Sequence, residues 1–185
     1  MCDWRVWSAT QVSARLWPIA LSLSLFAVSC GASDHRGIPS SICGTPIDPD
    51  LTRPLMSATD DWHEWNRVDR STTITAPCLI LTGDDIALRL RFSWDPNATD
   101  LMYLAKETGK ISGVAEPRNI AFPYKTVVGT DGAISTTPCK TKGGDYFTLT
   151  LQLPQISLMD QTHRKDIEKF MRAYFPATLE TLGCR

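Results

Sequence analysis

The sequence predicts a mainly β, α+β domain: an antiparallel β sandwich or sheet of several hairpins, with a C-terminal amphipathic helix packed on it and two disulfides. Three observations support this fold class. Short runs of alternating apolar and polar residues are separated by glycine-containing turns, apolar residues near the C-terminus recur at helical spacing, and four cysteines are spread over the same region. With 185 residues, of which 21% are charged, the chain has room for one globular domain.

The first 29 residues are predicted to be a signal peptide rather than part of this domain. An apolar run extends from Leu16 to Val28 behind Arg15, and it is too short to span a hydrocarbon core of about 30 Å. The alternative, a buried core helix, is disfavoured because the run has no amphipathic period.

The apolar run ends in Ala27-Val28-Ser29-Cys30, which resembles the lipobox of bacterial lipoproteins. The resemblance implies that Cys30 carries a diacylglyceryl group, becomes the first residue after cleavage and anchors the protein in the lipid bilayer on the extracytoplasmic side of the cell membrane. Cleavage by an ordinary signal peptidase would instead give a secreted protein, since Ala27 and Ser29 are small. Lipidation is favoured because it leaves an even number of cysteines in the exported chain.

Residues 30–41 are predicted to be the lipidated cysteine and a short tether, and residues 42–185 a single extracytoplasmic domain stabilised by disulfides. The spacing of its cysteines contains no C-x-x-C and no short offset to histidine, which argues against a metal site. Three disulfide connectivities are possible. We favour the connectivity in which each disulfide closes one end of the domain, with Cys43 bonded to Cys78 and Cys139 bonded to Cys184.

Period-two alternation predicts the strands. The clearest run covers residues 86–94, with Ile86 and Leu88 on the buried face and Arg89 and Arg91 on the wet face. Residues 78–81 precede it through a turn at Gly83, which predicts a hairpin. A second hairpin is predicted over residues 126–135, with its turn at Asp131-Gly132. A third run, residues 145–153, is predicted to bury Phe147, Leu149, Leu151 and Leu153 and to expose Thr148, Thr150 and Gln152.

The end of the chain predicts a helix from about Asp160 to Tyr174, with Asp160 as N-cap. Pro176 is expected to end or kink it, and a short helical turn is expected to follow through Leu182. The apolar stripe consists of Ile167, Phe170, Met171, Tyr174 and Phe175.

The chain has none of the common nucleotide-binding, hydrolase or metalloprotease motifs. Its densest group of reactive side chains is residues 60–65, where Asp61, His63 and Glu64 lie beside Trp62 and Trp65. Carboxylates next to an imidazole are suited to acid/base or metal chemistry. The more ordinary interpretation is a polar loop whose tryptophans enter the core.

Three weaker patterns each have a functional and a structural interpretation. Residues 95–100 resemble a calcium loop but lack its glycine and its final glutamate, so an Asp-Pro turn is favoured. Arg89 and Arg91 are suited to bind an anion or to form a solvated sheet face. An aromatic platform for a sugar or peptide is the alternative to core packing for Trp62, Trp65, Trp94, Tyr103 and Tyr124.

Residues 139–151, together with residues 172–176 and the final Leu182-Gly183-Cys184, resemble uncharacterised secreted lipoproteins of actinobacteria. The resemblance implies no activity, cofactor or catalytic residue. The sequence therefore predicts a lipid-anchored, non-enzymatic domain that binds an unknown protein or envelope glycan. The alternative is an envelope hydrolase or metal-dependent enzyme that uses Asp61, His63 and Glu64. The net charge of −1 argues against a nucleic-acid partner.

Overall fold

A seven-stranded antiparallel sheet organises this protein. The computed structural model describes residues 37–56, 61–66, 75–106 and 113–184. The predicted signal peptide, Cys30 and the tether as far as residue 36 lie outside these ranges. The predicted fold class is confirmed, and the open sheet rather than a sandwich is the form it takes.

The described ranges contain nine strands and three α-helices, in the order β1 Ser41–Ile42, β2 Thr45–Pro46, α1 Pro49–Thr52, β3 Trp62–Asn66, β4 Thr75–Thr82, β5 Asp85–Asp95, α2 Leu101–Lys106, β6 Arg118–Asn119, β7 Lys125–Val128, β8 Gly132–Pro138, β9 Tyr146–Gln152 and α3 Arg164–Leu182. A 3-10 turn, Arg53–Leu55, follows α1. The strand order in the large sheet is β3-β4-β5-β9-β8-β7-β6. Strands β1 and β2 form a separate two-stranded hairpin. In the described ranges, no helix is long and apolar enough to cross a membrane.

The predicted hairpin before residue 86 is confirmed as β4–β5. Gly83 has φ +60° and forms a two-residue turn, because Thr82 pairs directly with Asp85. A bulge then interrupts the predicted alternation, since Ile80 pairs with Leu88 while Leu81 pairs with Ile86. The extra residue, Ala87, is buried and Ile86 is only half-buried. The prediction that Ile86 shares the buried face was therefore wrong.

The second predicted hairpin is confirmed as β7–β8, but Gly132 has a different role from the one its turn signal suggests. Its φ is not positive. A Cβ atom at this position would lie 2.3 Å from the carbonyl oxygen of Leu151 on β9. Glycine is therefore needed for the close approach of two strands, not for the turn conformation.

The face of β9 that was predicted to be exposed is largely buried. Thr148 and Thr150 are 2% and 3% exposed, although alternation predicted that they face water. They are buried because β9 lies between β5 and β8, and the cluster around α2 covers part of this face. The Thr148 hydroxyl bonds to Thr136 Oγ1 at 3.0 Å, which satisfies one of these buried polar groups.

Helix α3 carries the predicted apolar stripe, and all five of its residues are 0% exposed. It begins at Arg164 rather than Asp160. The Asp160 carboxylate instead accepts hydrogen bonds from the amide of Thr162 at 2.9 Å and from its hydroxyl at 2.7 Å. These bonds lower the pKa of Asp160 and close a turn before the helix.

Pro176 lies inside helix α3, so of the two predicted effects of this proline, ending or kinking the helix, the ending is wrong. The helix continues to Leu182 and is capped by Gly183 at φ +68°. A proline inside a helix removes one backbone hydrogen bond, because it has no N–H group. The last turns of the helix stay packed on the sheet because Thr178 and Leu179 are buried and because Cys184 is held by a disulfide.

Both favoured disulfides are confirmed. Cys43 is bonded to Cys78 and Cys139 to Cys184. The first joins the β1–β2 hairpin to β4, and the second joins the end of α3 to the residue after β8. The two crosslinks therefore attach both terminal segments of the domain to the large sheet.

Buried hydrogen bonds link α3 to the β1–β2 hairpin. The Tyr174 hydroxyl donates to the carbonyl of Ile42 at 2.9 Å. The Thr178 hydroxyl donates to the carbonyl of Tyr174 at 2.8 Å, so the Thr45 hydroxyl is the donor in its 3.2 Å bond to Thr178. The hairpin is thereby bonded to the helix as well as crosslinked to the sheet.

We expect Gly132→Ala to lower the free energy of unfolding by about 3 kcal/mol, because the new methyl group meets backbone that cannot move without separating β8 from β9. Gly83→Ala is the matched control, since nothing lies within 4 Å of its Cβ position, and only the positive φ should cost about 1 kcal/mol. Urea unfolding measures both, and equal losses would contradict the steric explanation.

We expect Tyr174→Phe to lower the free energy of unfolding by about 1–2 kcal/mol, because it leaves the buried carbonyl of Ile42 without its donor. Tyr146→Phe serves as control, since the Tyr146 hydroxyl has no hydrogen-bond partner in the described ranges; its effect should stay within about 0.5 kcal/mol. Denaturant unfolding at neutral pH compares the two variants.

Candidate functional site

The predicted acid/base group lies on β3, an edge strand, and not in a loop. Strand β3 forms because it pairs with β4 from Trp62 opposite Thr82 to Asn66 opposite Cys78. Side chains alternate across a strand, so His63 and Glu64 lie on opposite faces of the sheet. Asp61 precedes the strand and is exposed. The structure therefore does not bring His63 and Glu64 together.

The Glu64 carboxylate has a structural partner. Its Oε2 accepts a 2.6 Å hydrogen bond from the backbone amide of Cys43, and its Oε1 accepts one from the side chain of Asn66 at 3.3 Å. Cys43 and Gly44 have φ of 51° and 72°, which is the conformation of a two-residue type I′ turn. Glu64 thus stabilises a turn in which a non-glycine residue has the left-handed conformation.

Glu64 also belongs to the one group of possible metal ligands found among the described residues. Its carboxylate lies within 4.8 Å of the sulfurs of Cys43 and Cys78. Those two sulfurs are bonded to each other, and a metal site requires thiolates. The group is therefore a crosslinked turn and is not suited to bind a metal.

The five aromatic residues proposed as a platform are distributed differently. Trp62 is buried and its indole Nε1 donates to the carbonyl of Gly37. Trp94 is 1% exposed and packs against Phe147 with ring centroids 5.4 Å apart. Trp65 and Tyr103 are 37% and 66% exposed. Since two of the five rings are in the core, a platform of all five is not formed.

Arg89 and Arg91 lie on the face of the sheet opposite α3, where they line a cavity of about 390 Å³ together with Thr75, Pro77 and Leu79. Both are half-buried. Their guanidinium groups are therefore neither fully solvated nor enclosed.

A larger concave site lies around Tyr124. Two cavities of about 600 and 320 Å³ have Ala98, Pro123, Tyr124 and Lys125 in common. We call this pair of cavities the Tyr124 groove. The larger cavity lies between residues 98–102 and residues 119–126, and the smaller one extends to Thr136, Thr137, Pro138 and Tyr146.

The Tyr124 ring is held in place by the core. It meets Phe122 and Phe175 edge-to-face, with centroids 5.2 and 5.0 Å away. Phe175 in turn stacks on Phe147 at 5.9 Å. Helix α3 and strand β9 therefore position the groove's central ring.

The opposite wall of the groove is held by Asp100. Its Oδ1 accepts hydrogen bonds from the amides of Met102 at 3.0 Å and Tyr103 at 3.1 Å in the first turn of α2. Strand β5 ends at Asp95, and the residues between the strand and the helix form the connection that was predicted as a turn. Asp100 is therefore a helix cap.

Several polar groups of the groove are not used by the fold. The side chains of Lys125, Asn119 and Tyr146 make no hydrogen bond or ion pair within the described ranges. The sequence signalled Tyr124 as an aromatic residue, but it did not signal these three. They lie on β6, β7 and β9. Lys125 lines both cavities, Asn119 only the larger one and Tyr146 only the smaller one.

Arg164 is half-buried, and its guanidinium group is bonded to backbone carbonyls. Its Nη1 donates to the carbonyls of Val128 at 2.7 Å and Glu116 at 3.0 Å. Its Nε and Nη2 are buried without a partner among the described residues. Burial lowers the pKa of Arg164, and nearby Arg118 lowers it further. Arg164 lines neither cavity of the groove.

Comparison with family models, curated proteins and solved structures gives no match for this chain.

We expect Glu64→Ala to lower the free energy of unfolding by about 2 kcal/mol, because the buried Cys43 turn loses its acceptor. His63→Ala is the matched control on the same strand; His63 is exposed, so its effect should stay within about 0.5 kcal/mol. Denaturant unfolding measures both. Equal effects would contradict the structural role assigned to Glu64.

Proposed function

We propose that this chain is a lipid-anchored extracytoplasmic protein whose domain binds an envelope component in the Tyr124 groove and has no enzymatic activity of its own. The proposal joins two observations. Cysteine pairing supports export and the anchor, and the groove supports the binding role.

The cysteine pairing carries the proposal. Disulfides persist in exported proteins and are rare in reducing compartments. The two disulfides use Cys43, Cys78, Cys139 and Cys184. Of the six cysteines only Cys2 and Cys30 remain, and only Cys30 follows an apolar run and a lipobox-like tetrapeptide. A diacylglyceryl group on Cys30 would leave no odd thiol in the exported chain.

The groove supports binding rather than catalysis. Its cavities of about 600 and 320 Å³ fall in the size range of small-ligand sites. Its lining offers aromatic rings, an amide, hydroxyls, an ammonium group and the carboxylate of Asp100, which caps α2. It does not pair a nucleophile with a base at hydrogen-bond distance, which covalent catalysis requires. The enzyme alternative at Asp61, His63 and Glu64 gains no support, because β3 separates His63 from Glu64.

We expect Cys30→Ser to abolish incorporation of an alkyne-labelled fatty acid when the full chain is expressed in a bacterium that processes lipoproteins. Cys2→Ser is the matched control and should leave the label at its original level, because Cys2 lies in the predicted signal peptide. Intact mass measurement should show the corresponding loss of acyl groups.

Labelling that persists in Cys30→Ser, or that is absent from the unaltered chain, would overturn the anchor. Either result would leave the binding role of the groove to be decided by the ligand titrations described below.

A further inference from the structure

We infer that the Tyr124 groove binds a carboxylate-bearing glycan, with Lys125 as the residue that recognises the carboxylate. This deepens the binding role proposed above and rests on it. Three features support it: the position of Lys125, the other side chains of the groove, and the pairing of β7 with β6 at the neighbouring sheet edge.

Lys125 is placed to select an anion. It lines both cavities of the groove and is exposed. It makes no ion pair or hydrogen bond in the part of the chain that the structure describes. The larger cavity is also lined by the Asp100 carboxylate, whose Oδ1 accepts two amide hydrogens at the start of α2. In the smaller cavity Lys125 is the one charged residue of the lining, and an ammonium group in a concave site that holds no carboxylate favours a negatively charged group on the ligand.

The remaining groups suit a sugar. The Tyr124 ring is fixed by two aromatic neighbours, so a ligand that packs on it costs little side-chain entropy. Asn119 offers an amide donor and acceptor, and Tyr146 offers a hydroxyl, both without a partner in the described ranges. Rings next to uncommitted hydrogen-bonding groups are suited to the hydroxyl-rich edges and apolar faces of a saccharide.

The sheet edge beside the groove argues against an extended peptide. A peptide that adds a strand needs free backbone groups on an edge strand. The outer side of β7 is already paired with β6, from Val127 with Asn119 to Val128 with Arg118. The carbonyl of Thr126 accepts a further bond from the amide of Ile120 at 3.3 Å. The edge strand itself, β6, is only two residues long and offers few backbone groups to an added peptide strand. Recognition in the groove is therefore left to side chains.

The groove lies far from the point where the chain enters the described structure. Lys125 is on β7, five strand spacings or about 24 Å from β3. Strand pairing places Lys125 in the same cross-strand row as Thr75 of β4. Trp62 pairs with Thr82, which is seven residues or about 23 Å further along β4. Lys125 and Trp62 are thus near diagonally opposite corners of the sheet. The chain enters the described structure at the Trp62 corner, where Trp62 donates to the carbonyl of Gly37.

The test uses two disaccharides that differ in one carboxylate. N-acetylglucosaminyl-N-acetylmuramic acid carries a lactyl carboxylate, and di-N-acetylchitobiose is its neutral counterpart. The full chain, solubilised in mild detergent, is titrated with each by calorimetry. We expect the acidic disaccharide to bind at least about tenfold more tightly, because a charge-assisted hydrogen bond to Lys125 is gained.

Lys125→Gln should remove this preference and leave the weaker binding of the neutral disaccharide unchanged. Lys165→Gln is the matched control, because Lys165 is exposed on α3 and lines neither cavity; it should retain the preference. Rising salt should reduce the preference in the unaltered chain.

Equal affinity for the two disaccharides, no binding of either, or an unchanged preference in Lys125→Gln would each overturn the inference. Binding of an acidic peptide or of anionic lipid vesicles in place of the disaccharide would also overturn it. Absence of fatty-acid labelling from the unaltered chain, with disaccharide binding retained, would reject the anchor alone, so the two proposals fail separately.

Discussion

Packing of Phe175 between the sheet and the groove is the contact on which the rest of this structure depends. Phe175 lies on the buried face of α3, stacks on Phe147 of β9 and meets Tyr124 edge-to-face. The same side chain therefore joins the helix to the central strand and holds the ring around which the two cavities are arranged. Because interiors are closely packed, a change at Phe175 would be transmitted to Tyr124.

Residues 61–65, which the sequence offered as the densest group of reactive side chains, have a structural role. Glu64 accepts the amide of Cys43, and Trp62 donates to Gly37. These contacts, with the disulfide to Cys78, hold the β1–β2 hairpin against the sheet. The groove, by contrast, is built from residues with little individual signal. Polar side chains that are close in sequence are often separated by the alternation of a strand, whereas functional groups converge from distant segments.

Much of the fold could be predicted from local pattern. The hairpin at Gly83, the strand of residues 146–152 and the apolar stripe of α3 follow from periodicity and turn chemistry, and parity of the cysteines indicated two disulfides. Thr148 and Thr150 could not be predicted as buried, because their burial depends on which strands flank β9. The bulge at Ala87 and the continuation of α3 through Pro176 likewise result from packing, which overrides the local preference.

By itself the sequence determined the β-rich class, the terminal helix, the cysteine count and the lipobox-like tetrapeptide at Cys30, because these features are local or compositional. Only the tertiary structure decided the strand order, the separation of His63 from Glu64 and the placement of Asn119, Lys125 and Tyr146 in the lining of the Tyr124 groove. Such convergence depends on strand pairing over long sequence separations. No short window of residues contains that information.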